Sequence, residues 1–104
     1  MASLNKIFLI GRLTRDPELR YTQQGTPVGN FTLAVDRQFK SQQGETQTDF
    51  IKIIVWRKLA ETISKYIFKG SMVFVEGNLQ IRKYEDSNNI KRTSAEVVAN
   101  TVQF

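Results

Sequence analysis

The chain contains no cysteine and no histidine. The first absence removes disulfides, thiolate nucleophiles and the thiolate ligands of structural zinc. The second removes the side chain used most often as general base and metal ligand. No apolar run is long enough to span a membrane or to form the core of a secretory leader, so the expected location is the cytoplasm. Neither an internal repeat nor a low-complexity linker divides the chain, and residues 1–104 are expected to form a single small domain. Negative charge is also scarce: 10 Asp and Glu stand against 15 Lys and Arg, a net charge of +5. The resulting pI near 9.8 favours a polyanionic partner. Carboxylates such as Asp16, Glu18, Asp49 and Glu61 show no pairing with a nucleophile and no metal-ligand spacing. The reading is therefore not an enzyme, with no cofactor and no metal; Asp49 is expected to cap a strand end and Glu61 to solvate a helix.

What is present is a set of four aromatic residues, each with basic neighbours: Phe39 in DRQFK, Phe50 in TDFIK, Trp56 in VWRK and Tyr84 in IRKYE. A ring beside a cation suits a core poorly, because the charge must reach water. It suits single-stranded nucleic acid well, since an unpaired base stacks on the ring while the cation meets the neighbouring phosphate. Within Phe50-Ile51-Lys52-Ile53-Ile54-Val55-Trp56, strand periodicity puts Phe50, Lys52 and Trp56 on one face and Ile51, Ile53 and Val55 on the other. One face can pack and the other can bind.

Five strands and one helix account for the rest of the pattern. Strands are expected over Asn5 to Leu13, Gly29 to Arg37 (Phe31, Leu33 and Val35 on one side), Thr48 to Trp56, Ser71 to Tyr84 and Ile90 to Phe104. The segment DPELRYTQQGTP reads as a turn-rich connection, punctuated by Pro17, Gly25 and Pro27, and KSQQGETQ as a polar hairpin tip. In KLAETISKYIFKG, Leu59, Ile63 and Ile67 recur at helical spacing, with Gly70 as the stop. Three strands, a helix and two strands is the order of an OB-fold, an all-β, five-stranded Greek-key barrel with one helix between strands 3 and 4. Ile7-Phe8-Leu9-Ile10 and Met72-Val73-Phe74-Val75 are apolar on both faces. One face can fill the barrel, and a second copy of the chain is the simplest cover for the other.

The stretches NKIFLIGRLTRDPELRYTQQGTPVGNFTLAV, TDFIKIIVWRKLAE, YIFKGSMVFVEGNLQIRKYED and TSAEVVAN, with their spacing, resemble the bacterial single-stranded DNA-binding protein family over nearly the whole chain. The resemblance implies OB-fold subunits that assemble as homotetramers and coat unpaired DNA, without strong sequence preference, during replication, repair and recombination. It places the stacking aromatics on Phe39, Phe50, Trp56 and Tyr84. It places phosphate contacts on Lys52, Lys58, Lys69, Arg82 and Lys83, with Arg12 and Arg37 as weaker candidates, and it implies a cytoplasmic, nucleoid-associated protein. Two departures stand out. Relatives continue into a flexible linker with an acidic tip that recruits partner proteins, whereas this sequence ends in VVANTVQF with no acidic residue after Glu96, so tail-dependent replication and repair partners are not expected to be recruited. Some relatives carry His at the position of Ile51, a subunit contact, where Ile implies a more apolar surface. Two other binding readings remain: an OB-fold primosome accessory protein, against which the complete aromatic set argues, and a small RNA-binding OB protein, which DNA–RNA competition would separate.

Overall fold

A computed structural model describes residues 2–39 and 41–104. The alternating segments become strands, in the order β1 (Ile7–Leu13), β2 (Glu18–Tyr21), β3 (Pro27–Asp36), β4 (Thr48–Trp56), α1 (Arg57–Tyr66), β5 (Met72–Glu85) and β6 (Lys91–Gln103). They form one sheet in the order β1-β5-β6-β4-β3-β2. β1 runs antiparallel to β5 from Ile7 to Arg12, then meets β3 through Arg12–Ala34 and Leu13–Leu33, which closes the sheet on itself. Among the described residues the one parallel pairing joins β4 to β6, from Lys52–Glu96 to Ile54–Val98.

Inward positions supply the core. Phe31 and Leu33 of β3, Ile53 and Val55 of β4, Val73 and Val75 of β5 and Val97 of β6 are all buried. α1 packs against β3 and adds Ala60 and Ile63, with Ile67 just beyond its end. Ile51 is half-buried against the same cluster. A register shift between Glu76 and Gly77 bends the β5–β6 pair. Gly77 is required there, because a Cβ would collide with the Val98 carbonyl oxygen.

The all-β class and the helix between the long strands agree with the sequence reading, and three details differ. The sheet has six strands, because the turn-rich connection contains β2. Its four residues pair with Pro27–Asn30 across a tight turn in which Thr22 N–H donates to the Thr26 carbonyl at 2.9 Å and Gly25 N–H to that of Thr22 at 2.8 Å. So short a strand, flanked by Pro17, Gly25 and Pro27, carries no readable alternation. The helix stops at Tyr66 rather than at Gly70. Ile67 is already extended, with its N–H donating to Ile63, and Gly70 (φ 89°) serves the turn that leads into β5. Asn5 lies outside β1, yet its side-chain amide imitates a strand: Nδ2 donates to the Leu79 carbonyl at 2.7 Å and Oδ1 accepts from Leu79 N–H at 2.8 Å.

Candidate nucleic-acid interface

β4 provides the centre of the site. Its alternation turns Ile53 and Val55 into the core and leaves Phe50 68% and Trp56 42% exposed, with Lys52 exposed between them. At strand rise the two rings stand about 20 Å apart along one face. Trp56 is the last residue of β4, and Arg57 behind it takes a left-handed conformation (φ 61°), turning the chain into α1. The β4–β6 pairing ends at Lys52–Glu96, and beyond it the β5–β6 hairpin continues to Glu85–Lys91. That hairpin carries Arg82 and Tyr84 on the same side as Glu96, and the Arg82 guanidinium carbon sits 4.9 Å from the centre of the Tyr84 ring. Lys83 alternates with them and faces the other side of the hairpin, beside Thr93. Phe39 is 84% exposed in the β3–β4 connection; Lys40, its basic neighbour in sequence and the first residue of the expected hairpin tip, lies outside the described residues.

The cations differ in how far they are already engaged. Lys58, Lys69 and Lys83 are exposed and belong to none of the ion pairs among the described residues. Lys69 is nevertheless held in place, its backbone N–H donating to Asp16 at 2.8 Å. Lys52 Nζ and Arg82 Nε both approach Glu96 Oε2, at 3.5 and 3.3 Å. Arg12 Nη1 donates to the Gly70 carbonyl at 2.9 Å. Arg37 makes a two-pronged contact with Asp49, at 3.1 and 3.0 Å, and donates to Gln47 at 3.0 Å. The hydrogen bonds between Arg37 and Asp49, foremost, hold the Asp49 carboxyl below its ordinary pKa and raise that of Arg37. Arg12 also lines an open groove of about 560 Å3 with Ile10, Ala34, Thr48, Phe50 and Met72, which links it to the Phe50 ring.

Three of the four carboxylates considered in the sequence have structural partners: Asp16 on Lys69 N–H, Glu18 on Arg20 at 3.2 Å and Asp49 on Arg37. The tip of the β5–β6 hairpin depends on a fifth. Asp86 accepts from Arg92 and from the N–H groups of Asn88 and Ile90. Arg92, and then Ile90, lower its pKa.

Two charged residues beside the candidate site were not legible in the sequence. Arg20 lies opposite Val28, which lies opposite Trp56, so the three form one row across β2, β3 and β4. Finding it requires β2, which the sequence conceals. Glu96 is visible only as a charge in TSAEVVAN; its closeness to Lys52 comes from the parallel β4–β6 pairing and its closeness to Arg82 from the antiparallel β5–β6 ladder. Exposed rings with cations set among them can stack unpaired bases and neutralise phosphates over an extended strand.

A model of the single-strand binding protein family matches residues 4–104. A single-stranded DNA-binding protein of Halalkalibacterium halodurans is 52% identical over 101 residues, which cover 97% of this chain and 60% of that protein. Single-stranded DNA-binding protein 2 of Listeria innocua is 52% identical, over 97% of this chain and 64% of its own length. Single-stranded DNA-binding protein 1 of Staphylococcus aureus is 54% identical, over 97% and 65%. The chain therefore spans a little under two thirds of these relatives.

Proposed function

The chain belongs to the single-strand binding protein family, and from that premise we propose that it binds and coats single-stranded DNA without strong sequence preference, in replication, repair and recombination. The observation that carries the proposal is the exposed β4 face, where Phe50 and Trp56 flank Lys52 while the alternate residues fill the core. Bases stack on Phe50, Trp56, Tyr84 and Phe39. Phosphates are met by Lys52, Lys58, Lys69, Arg82 and Lys83, with Arg12 and Arg37 contributing less because their contacts with Gly70 and Asp49 are shorter than those of Lys52 and Arg82 with Glu96. The protein acts by binding rather than by catalysis, in the cytoplasm with the nucleoid. Among the described residues no helix is long and apolar enough to cross a membrane.

The same proposal includes a homotetramer. Phe8, Ile10 and Met72 are exposed on the outer face of β1 and β5, next to Phe74, whose ring stacks on Phe8 at 6.2 Å. A contiguous apolar patch of this kind is covered most simply by another copy of itself.

Trp56, the single tryptophan, reports on the proposal directly. Titration with oligo(dT) is expected to quench its emission, and a matched RNA oligonucleotide is expected to compete poorly. Equal competition would favour the RNA-binding reading. Absence of binding at any salt concentration would refute the proposal.

A further inference from the structure

Glu96 is the buried charged side chain among the described residues, 8% exposed, and it lies in the middle of a face rich in cations. It stands opposite Lys52 on β4 and Gln80 on β5. Its Oε2 atom is 3.3 Å from Arg82 Nε and 3.5 Å from Lys52 Nζ, and Arg82 in turn leans on the Tyr84 ring. A carboxylate here repels phosphate and offsets part of the charge of two residues that attract it. Packing alone does not require the charge, since an amide of the same shape would fill the space and accept the same hydrogen bond.

We propose, on the reading that this face binds single-stranded DNA, that Glu96 is an internal competitor for the phosphate. In the free protein it holds Lys52 and Arg82, and DNA must take them from it. The three side chains then act toward the polyanion as one positive charge instead of two. The geometry suits exchange. Both contacts are longer than the 2.7–2.9 Å typical of a strong charge-assisted hydrogen bond. Arg82 meets Glu96 through Nε, so Nη1 and Nη2 remain available to a phosphate. Lys52 and Arg82 have half-exposed side chains that can swing toward solvent while Glu96 stays in place. Once a phosphate has taken the cations, Glu96 loses the ion pairs that offset its burial, and that cost favours release. The face accordingly binds less tightly and with less salt dependence than its number of cations implies.

The test is Glu96→Gln, which keeps the shape and one acceptor oxygen and removes the charge. Binding of oligo(dT) is measured across a salt series beside the unaltered protein, with circular dichroism confirming the fold. The variant is expected to bind about threefold to tenfold more tightly at low salt, with a log–log salt slope steeper by roughly 0.7. Lys52→Gln should lower the slope by the same amount, and Lys52→Gln with Glu96→Gln should return it to the starting value. The double variant carries the comparison if Glu96→Gln alone does not fold. Unchanged binding, or weaker binding with additive losses in the double variant, would overturn the proposal and make Glu96 a positioning residue for the two cations. Failure of the unaltered protein to bind oligo(dT) would overturn the parent reading instead.

Discussion

Phe50 and Phe31 are the same residue type on neighbouring strands, and they should fail in opposite ways. Phe50 is 68% exposed and Phe31 1%. Full burial of a phenylalanine stabilises by about 1.5–3 kcal/mol, so the third of Phe50 that is covered accounts for about 0.5–1 kcal/mol. Phe50→Ala should therefore lower the melting temperature only slightly. Phe31→Ala empties a filled core position and should cost about 3–5 kcal/mol, a fall of several degrees per kcal/mol in a domain of this size. Affinity should show the reverse. Loss of a stacked base costs about 1–3 kcal/mol, so Phe50→Ala should weaken oligo(dT) binding by roughly fivefold to 150-fold. Trp56 quenching measures the dissociation constant, and circular dichroism measures melting. The reporter stands about 20 Å along the strand from Phe50, so truncating Phe50 leaves its surroundings unchanged. A Phe50→Ala protein that melted as early as Phe31→Ala and kept its affinity would refute the assignment of β4's outer face to DNA.

Four further outcomes follow from the same geometry. Arg82→Ala should lower the salt slope by roughly 0.7 and weaken all base sequences alike; a changed base preference with an intact slope would make Arg82 a base reader. Light scattering at micromolar concentration should give about four times the 12.0 kDa chain mass, and Ile10→Glu, which places a charge on the apolar outer face, should reduce it; a monomer in the unaltered protein would exclude the tetramer. Gly77→Ala should cost at least about 2 kcal/mol, because the new Cβ meets backbone rather than a side chain that can move; an unchanged melting temperature would contradict the close approach. Asp86 has a folded-state pKa below its ordinary 3.8, so its contribution is complete above that value and disappears as pH falls through the depressed pKa; the stability difference between the unaltered protein and Asp86→Asn should vanish in that acid window, and a difference that persisted there would show that the charge of Asp86 is not what holds the hairpin tip.

The parts of the fold that were legible in the sequence are those set by local alternation. Over Phe50 to Trp56 a period of two decides which residues turn inward, and the structure has Ile53 and Val55 buried with Phe50 and Trp56 outside. The aromatic candidates needed nothing more than that period and their neighbours in sequence. The state of the cations needed something else. Whether Arg37 is available to a phosphate depends on Asp49 and Gln47 across a hairpin, and the state of Lys52 depends on a residue brought alongside by a parallel pairing. Such partners are distant in the chain, so sequence neighbours do not reveal them. β2 was concealed for a related reason: four residues give two alternations at most, and its strand character comes from β3.

Alternation also gives direction without giving burial, and β5 separates the two. Val73, Val75, Leu79 and Ile81 occupy alternate positions on one side of this strand. The valines are buried, whereas Leu79 and Ile81 are 42% and 58% exposed. The cause is the extent of pairing. Up to Gly77 the strand lies between β1 and β6, but β1 ends its pairing at Ile7–Gly77 and β4 leaves β6 at Lys52–Glu96. At Leu79 the strand has already lost β1, and beyond Gln80–Glu96 β5 and β6 continue, among the described residues, with no third strand beside them. A hairpin that buries so little is a weak source of stability, since exposed apolar side chains contribute little. It is held instead by its ladder and by the Asp86 tip. What this extension does provide is a support for Arg82, Lys83 and Tyr84 outside the barrel, on both sides of a two-stranded surface. Shortening the hairpin by removing Lys83–Thr93 and the residues between them should therefore cost little melting temperature and much affinity. A large loss of stability with DNA binding preserved would mean that the extension serves the fold.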